Sequence, residues 1–223
     1  MTNNPHGDGA VLQTGAPLAK ADLAVVLLHG RGGSAEDILE LSSAFSVPNI
    51  AYLAPQAAGH TWYPLSFLSP RSANEPYLSS ALTKLESIVR SLEQAGFSRE
   101  RIVIAGFSQG ACLATEFVAS HPARYGGLIA FTGGLIGPPG SLQSSPSKKL
   151  AGTSALLSSG DPDPHVPWAR VEESAAILSA MGATVATKRF PGRPHTVTQE
   201  ELELARKLLL QIPTPANKNS LLD

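Results

Sequence analysis

Cysteine is almost absent from this chain. Cys112 stands alone among 223 residues, so no intramolecular disulfide can form and nothing marks an oxidising compartment. An excess of either charge is missing too: 17 Lys and Arg face 18 Asp and Glu, a formal net charge of -1. That balance offers no electrostatic basis for binding nucleic acid or an anionic membrane, and no nucleic-acid partner is expected. No stretch approaches the ~20 apolar residues needed to cross a bilayer, so no integral membrane contact is expected. The segment Met1-Thr-Asn-Asn-Pro-His-Gly-Asp-Gly9 has neither the basic start nor the apolar run of a signal peptide, which points to a cytoplasmic protein. The six histidines never fall at H-x-H or H-E-x-x-H spacing, so no metal site is expected.

What is present is an ordinary globular composition, 43% hydrophobic and 16% charged, at a length that one α/β domain fills. The domain is expected over residues 1–212. From Pro213 the chain turns polar and Pro-interrupted, the pattern of a frayed tail. Short apolar runs alternate with amphipathic stretches, as when parallel strands are joined by crossover helices. Strands are expected at Leu23–Leu28, Asn49–Leu53, Arg101–Ala105, Leu128–Phe131 and Ser154–Ser158, with an edge strand at Thr184–Phe190. Between them, Ser34 with Asp37 opens a helix that buries Ile38, Leu41 and Phe45, and Pro76 opens a long helix that Gly96 stops. Further helices are expected at Gln109–Ala119 and around Val171–Met181. Thr198 with Glu201 forms the capping box of a last helix that buries Leu202, Ala205, Leu209 and Ile212. Residues 137–153 read as a Gly/Pro/Ser-rich loop.

Gly106-Phe-Ser-Gln-Gly110 falls between an expected strand and an expected helix. A nucleophile elbow belongs there, because the sharp turn that exposes the serine needs glycine on both flanks. A serine hydroxyl is a poor nucleophile near neutral pH and needs a base, and the hydrolase order along the chain is Ser, then Asp or Glu, then His. Ser108 is the candidate nucleophile. His195, in the loop Gly192-Arg-Pro-His195 after the last strand, is the candidate base, placed where a side chain can swing over the strand ends. The acid comes from the loop after Ser158, where spacing alone leaves Asp161 and Asp163 open. His165 in that loop competes as base, but the short tether through Pro164 ranks it below His195.

Acyl transfer also needs donors aimed at the developing oxyanion, each worth a factor of roughly 100 to 1,000. The backbone N–H of Gln109, directly after the nucleophile, is one; the loop His29-Gly-Arg-Gly-Gly33 is placed to supply the other. That loop lacks both the G-x-G-x-x-G pattern and the G-K-[ST] ending of phosphate-binding turns.

Together, Leu28-His-Gly-Arg-Gly-Gly33, Ala54-Pro-Gln56 with Thr61-Trp-Tyr63, the elbow, Gly160-Asp-Pro-Asp-Pro-His-Val-Pro167 and His195 resemble the phospholipase/carboxylesterase family, in that family's order. The resemblance covers nearly the whole chain. It implies a single α/β-hydrolase domain with a mostly parallel sheet, helices on both faces and no large lid. It also makes Asp163, the aspartate of the D-x-x-V-P run, the acid, and Arg31 the second oxyanion donor. Trp62 is placed in the pocket by the same resemblance, with a packing role as the alternative. Phe67 and Leu68, in a loop of ten or so residues, are candidates for the acyl wall. Arg31 stands where many members have Leu, and Pro194 where Gly is common. The backbone roles survive both, and the guanidinium suggests a preference for esters carrying a carboxylate. The expected activity is carboxylic ester hydrolysis of a short- to medium-chain small-molecule ester through an acyl-serine, without a cofactor. Acyl-(protein) thioesters and lysophospholipids are alternative substrates, and a non-catalytic binding protein of this fold is the reading from another class. The resemblance also admits a homodimer.

Overall fold

The computed structural model describes residues 4–142 and 149–214. Part of the expected 137–153 loop and the tail beyond Thr214 lie outside the described residues. Seven strands form one sheet: β1 (Val11–Gly15), β2 (Leu23–Leu28), β3 (Ile50–Pro55), β4 (Ile102–Phe107), β5 (Gly127–Phe131), β6 (Ser154–Asp161) and β7 (Thr184–Pro191). Their order is β1-β3-β2-β4-β5-β6-β7, parallel throughout except that β1 runs antiparallel to β3. Among the described residues four α-helices connect strands, α1 (Ala35–Phe45), α2 (Tyr77–Gln94), α3 (Gln109–Ser120) and α4 (Trp168–Ala180), and α5 (Gln199–Gln211) follows β7.

Strand periodicity decides which helix covers which face. In β2, Leu23, Val25 and Leu27 point into a core shared with Ile38 and Phe45 of α1 and Ala205 and Leu209 of α5. Ala24, Val26 and Leu28 point the other way, into a core shared with α2, α3 and α4 through residues such as Leu85, Leu113 and Leu178. All six are buried, as expected of a strand covered on both faces.

The helix starts follow the capping chemistry. Ser34 and Asp37 exchange side-chain and backbone hydrogen bonds, as do Thr198 and Glu201. Two buried stripes differ from expectation: Leu41 and Leu202 are only half-buried, whereas Ala35 and the carboxylate-bearing Glu201 are buried. The strand β1 was not expected, because Val-Leu-Gln-Thr-Gly is an exposed edge with only Leu12 packed against the core. Among the described residues no helix is long and apolar enough to cross a membrane.

Candidate active site

The carboxyl ends of the parallel strands converge on one edge of the sheet, where open α/β folds collect their functional groups. Ser108 links β4 to α3 with φ 54° and ψ -119°, a conformation that costs a non-glycine residue about 1–3 kcal/mol. Its N–H donates to the Phe131 carbonyl at 2.9 Å. The flanking glycines are sterically required. A Cβ on Gly110 would lie 2.1 Å from the Leu28 carbonyl oxygen, and one on Gly106 would lie 2.5 Å from the Gly110 carbonyl carbon. The elbow thus brings the start of α3 against the end of β2.

From the other side, the turn after β7 carries His195 over the elbow. Its Nε2 lies 2.9 Å from Ser108 Oγ and its Nδ1 lies 2.8 Å from Asp163 Oδ2. Asp163 follows β6, and its Oδ1 accepts the backbone N–H groups of His165 and Val166, each at 2.9 Å. The Asp163 side chain is fully buried, and burial alone would raise its pKa. The bonds from His195 and from the two backbone N–H groups outweigh that and hold it below its ordinary value. An ionised Asp163 accepts from Nδ1–H, which leaves the Nε2 lone pair facing the serine hydroxyl. Asp161, two residues earlier, pairs instead with Arg189. His165 is exposed and meets the edge of the His195 ring at 4.9 Å between centroids, without reaching Ser108 or Asp163 through its side chain.

The loop after β2 closes the remaining side. His29 is buried and neutral in character: its Nε2 accepts the Ala57 N–H at 3.2 Å, so its Nδ1 carries the proton that it donates to the Gly30 carbonyl at 2.7 Å. Burial holds its pKa below the ordinary value. Among the described groups, neither the Arg31 N–H nor the Gln109 N–H has an acceptor. The Arg31 guanidinium is committed elsewhere. It donates to the carbonyls of Tyr63, Pro64 and Leu65 at 2.7–3.0 Å, tying the oxyanion-side loop to the opposite wall. The expectation that it waits for a substrate carboxylate therefore gives way to a structural one.

Phe67 and Leu68 line a cleft of about 680 Å³, together with Leu65, Val166, Ser108 and His195. Trp62 does not line it. The indole is fully buried, donates from Nε1 to the His29 carbonyl at 2.9 Å, and packs against the His29 and His6 rings. The expectation of a pocket role is corrected to the packing alternative: a ring this size is drawn under the loop because its one polar atom finds a buried acceptor there. Cys112, expected as a packing residue, is buried with its thiol pushed up to about 12.

Comparison with known proteins places the chain in a family. The family model described as Phospholipase/Carboxylesterase matches residues 10–212. The chain belongs to this family. A crystal structure of a phospholipase/carboxylesterase from Dyadobacter fermentans superposes with a TM-score of 0.85 at 42% identity, covering 92% of this chain and 97% of that one. The probable carboxylesterase SOBER1-like of Arabidopsis thaliana is 27% identical over 84% of this chain and 78% of its own length. Acyl-protein thioesterase 1 of Gibberella zeae is 28% identical, over 59% of this chain and 56% of its own length. The α/β-hydrolase fold is shared with these carboxylesterase structures, and the family supports esterase or thioesterase activity.

Two sets of residues escaped the sequence reading. The Gln109 side chain is buried: its Oε1 accepts from Trp62 N at 2.9 Å and its Nε2 donates to the Tyr63 carbonyl at 2.8 Å, so the elbow itself holds the 61–63 segment. Beneath His195, Arg193 is almost fully buried. It donates to Thr132 Oγ1 at 2.6 Å and lies 3.4 Å from Glu201 Oε2. Glu201 Oε1 accepts the Ser158 hydroxyl at 2.6 Å, while Oε2 accepts the Thr198 N–H at 2.8 Å. This buried network ties the His195 turn to β5, β6 and α5. Its only sequence signal was Glu201 as a capping residue, which also fits a solvent-exposed helix start.

Proposed function

We propose that this protein is a serine carboxylic ester hydrolase that cleaves short- to medium-chain acyl esters through an acyl-Ser108 intermediate. The observation that carries the reading is the unbroken hydrogen-bond line from Ser108 Oγ through His195 to the buried Asp163, opening on an apolar cleft.

His195 Nε2 takes the Ser108 proton as Oγ attacks the acyl carbon, and Asp163 orients the imidazole and offsets its charge. Negative charge collects on the former carbonyl oxygen, within reach of the Arg31 and Gln109 N–H groups. His195 then gives the proton to the departing alcohol oxygen, leaving an acyl-serine that water hydrolyses with His195 again as base. The acyl chain lies along Leu65, Phe67 and Leu68 in the cleft of about 680 Å³. The match to an acyl-protein thioesterase favours a second reading in which the same residues cleave a thioester.

The test is hydrolysis of p-nitrophenyl acetate, butyrate, octanoate and palmitate, with labelling by a fluorophosphonate. The expected result is turnover of the shorter esters and labelling at Ser108. Ser108→Ala should lose label and roughly 10⁴-fold or more of kcat. Folded wild type that neither labels nor hydrolyses esters or acyl thioesters would replace this reading with a binding role.

A further inference from the structure

A second cleft, of about 390 Å³, opens on the far side of His195 from the acyl wall. Ile38 and Leu41 of α1, Phe107 at the end of β4, and Val197 line it, with His195 at its inner end and Asp37 at its rim. Four residues line both clefts: Gly30 and Arg31 of the oxyanion-side loop, where the two meet, and Phe107 and His195, whose rings lie 5.1 Å apart between centroids and form the partition. Ser108, Gln109 and Cys112 face the larger cleft alone.

We propose that this second cleft holds the alcohol half of the ester and selects neutral, apolar alcohols. The inference rests on the esterase reading above. A tetrahedral carbon bonded to Ser108 Oγ has three other substituents. The oxyanion points to the Arg31 and Gln109 N–H groups. The alcohol oxygen must lie where His195 Nε2–H can protonate it as its bond to the acyl carbon breaks, and the acyl group takes the direction left, away from His195. The alcohol therefore departs on the His195 side, into the cleft whose other walls are Ile38, Leu41 and Val197. The larger cleft keeps the acyl group beside the elbow through deacylation.

Charge sets the class of alcohol. The Asp37 carboxylate accepts the Ser34 N–H, and among the described residues no cation pairs with it. The one guanidinium beside the cleft, that of Arg31, is turned to the Tyr63–Leu65 carbonyls. An anionic leaving group would meet the Asp37 carboxylate at the rim with the Arg31 donors already engaged, whereas an alkyl group meets three aliphatic side chains and an aromatic ring.

The test varies the two halves of the substrate separately. One series is methyl, butyl and hexyl acetate; the other is methyl acetate, butyrate and hexanoate; 6-acetoxyhexanoate supplies an anionic counterpart of hexyl acetate. In wild type kcat/KM should rise roughly twofold per added alcohol methylene, as expected for partial burial of each group, and 6-acetoxyhexanoate should fall well below hexyl acetate. Leu41→Asp should collapse the hexyl-to-methyl acetate ratio about tenfold and leave the hexanoate-to-acetate ratio within twofold. Leu68→Asp, on the acyl wall, should do the reverse. A flat alcohol series in wild type, or a Leu41 effect on the acyl series, overturns the assignment even if either variant fails to fold. Equal rates on hexyl acetate and 6-acetoxyhexanoate overturn the selection against anions. Absence of Ser108-dependent turnover on every ester overturns the esterase reading itself, a result distinct from the others.

Discussion

The two sides of the site are held in place by different physics. On the oxyanion side, the loop after β2 is fixed by bonds to neutral partners, none of them an ion pair. Nδ1 and Nε2 of His29, the Trp62 indole, the Gln109 amide and the Arg31 fork all bond main-chain atoms, joined by side-chain contacts of Thr61 with Gln109 and of Gln56 with His29. On the His195 side, the turn after β7 rests on a buried charge pair, Arg193 and Glu201, in which Ser158 and Thr198 bond the carboxylate and Thr132 takes one bond from the guanidinium. Bonds of the first kind are individually worth about 1 kcal/mol, somewhat more where the Arg31 guanidinium donates, and their loss is local. A buried pair of the second kind adds little net stability but is costly to break from one end. The two loops should therefore fail differently.

The largest effect belongs to the charged side. Glu201→Ala strands Arg193 in the interior and should cost about 3–5 kcal/mol in urea unfolding, with a matching loss of kcat as the His195 turn shifts. Adding Arg193→Met should recover much of that stability without restoring kcat. Full additivity of the two changes would mean that the side chains do not act as a pair.

On the neutral side, Trp62→Phe removes the donor to the His29 carbonyl and should lower stability by about 1–3 kcal/mol. The acyl-chain preference should stay as in wild type. A changed preference among p-nitrophenyl esters would return Trp62 to the pocket wall. Arg31→Ala keeps the backbone N–H but releases the Tyr63–Leu65 wall. It should cost about 1–3 kcal/mol of stability and lower kcat/KM equally for neutral and carboxylate-bearing esters. A loss confined to the acidic esters would show that the guanidinium reads the substrate.

How much of this was legible in the sequence depends on what signals each residue emits. The elbow, the histidine and the acid loop announce themselves because glycine spacing and chain order are imposed by local geometry at strand ends. The sheet's central strands were legible as apolar runs, whereas β1, half-exposed at an edge, has no such run. Side-chain commitments were not legible. Arg31 beside a pocket looks available until three carbonyls are found on it. Glu201 at a helix start looks exposed until Ser158 and Arg193 close over it. Trp62 has the same composition signal whether it faces substrate or backbone. Each of these depends on which long-range neighbour arrives, and sequence spacing carries no record of that.

The smallest effect sharpens the contrast through pH. Burial, joined for His6 by the Lys84 charge, holds His6 and His29 below their ordinary 6.5, so the unfolded chain binds more protons there and stability falls as pH drops below 6.5. Protonation also makes each accepting nitrogen a donor that faces another N–H, that of Ala58 for His6 and of Ala57 for His29. Asp163 is depressed instead, so its contribution is present above 3.8 and is lost only as pH falls further. The hydrogen-exchange protection factors of the 57–62 segment should therefore fall between pH 6.5 and 5, while those of the 163–166 loop hold. Simultaneous loosening of both would contradict the division.

The most direct test of the central claim is a rapid acid quench of wild type during turnover of p-nitrophenyl butyrate, followed by peptide mass spectrometry. Ser108 as nucleophile predicts one butyryl group on the peptide carrying the Gly106–Gly110 elbow and none in Ser108→Ala. Steady hydrolysis with an unmodified elbow peptide, or undiminished hydrolysis by Ser108→Ala, would contradict it.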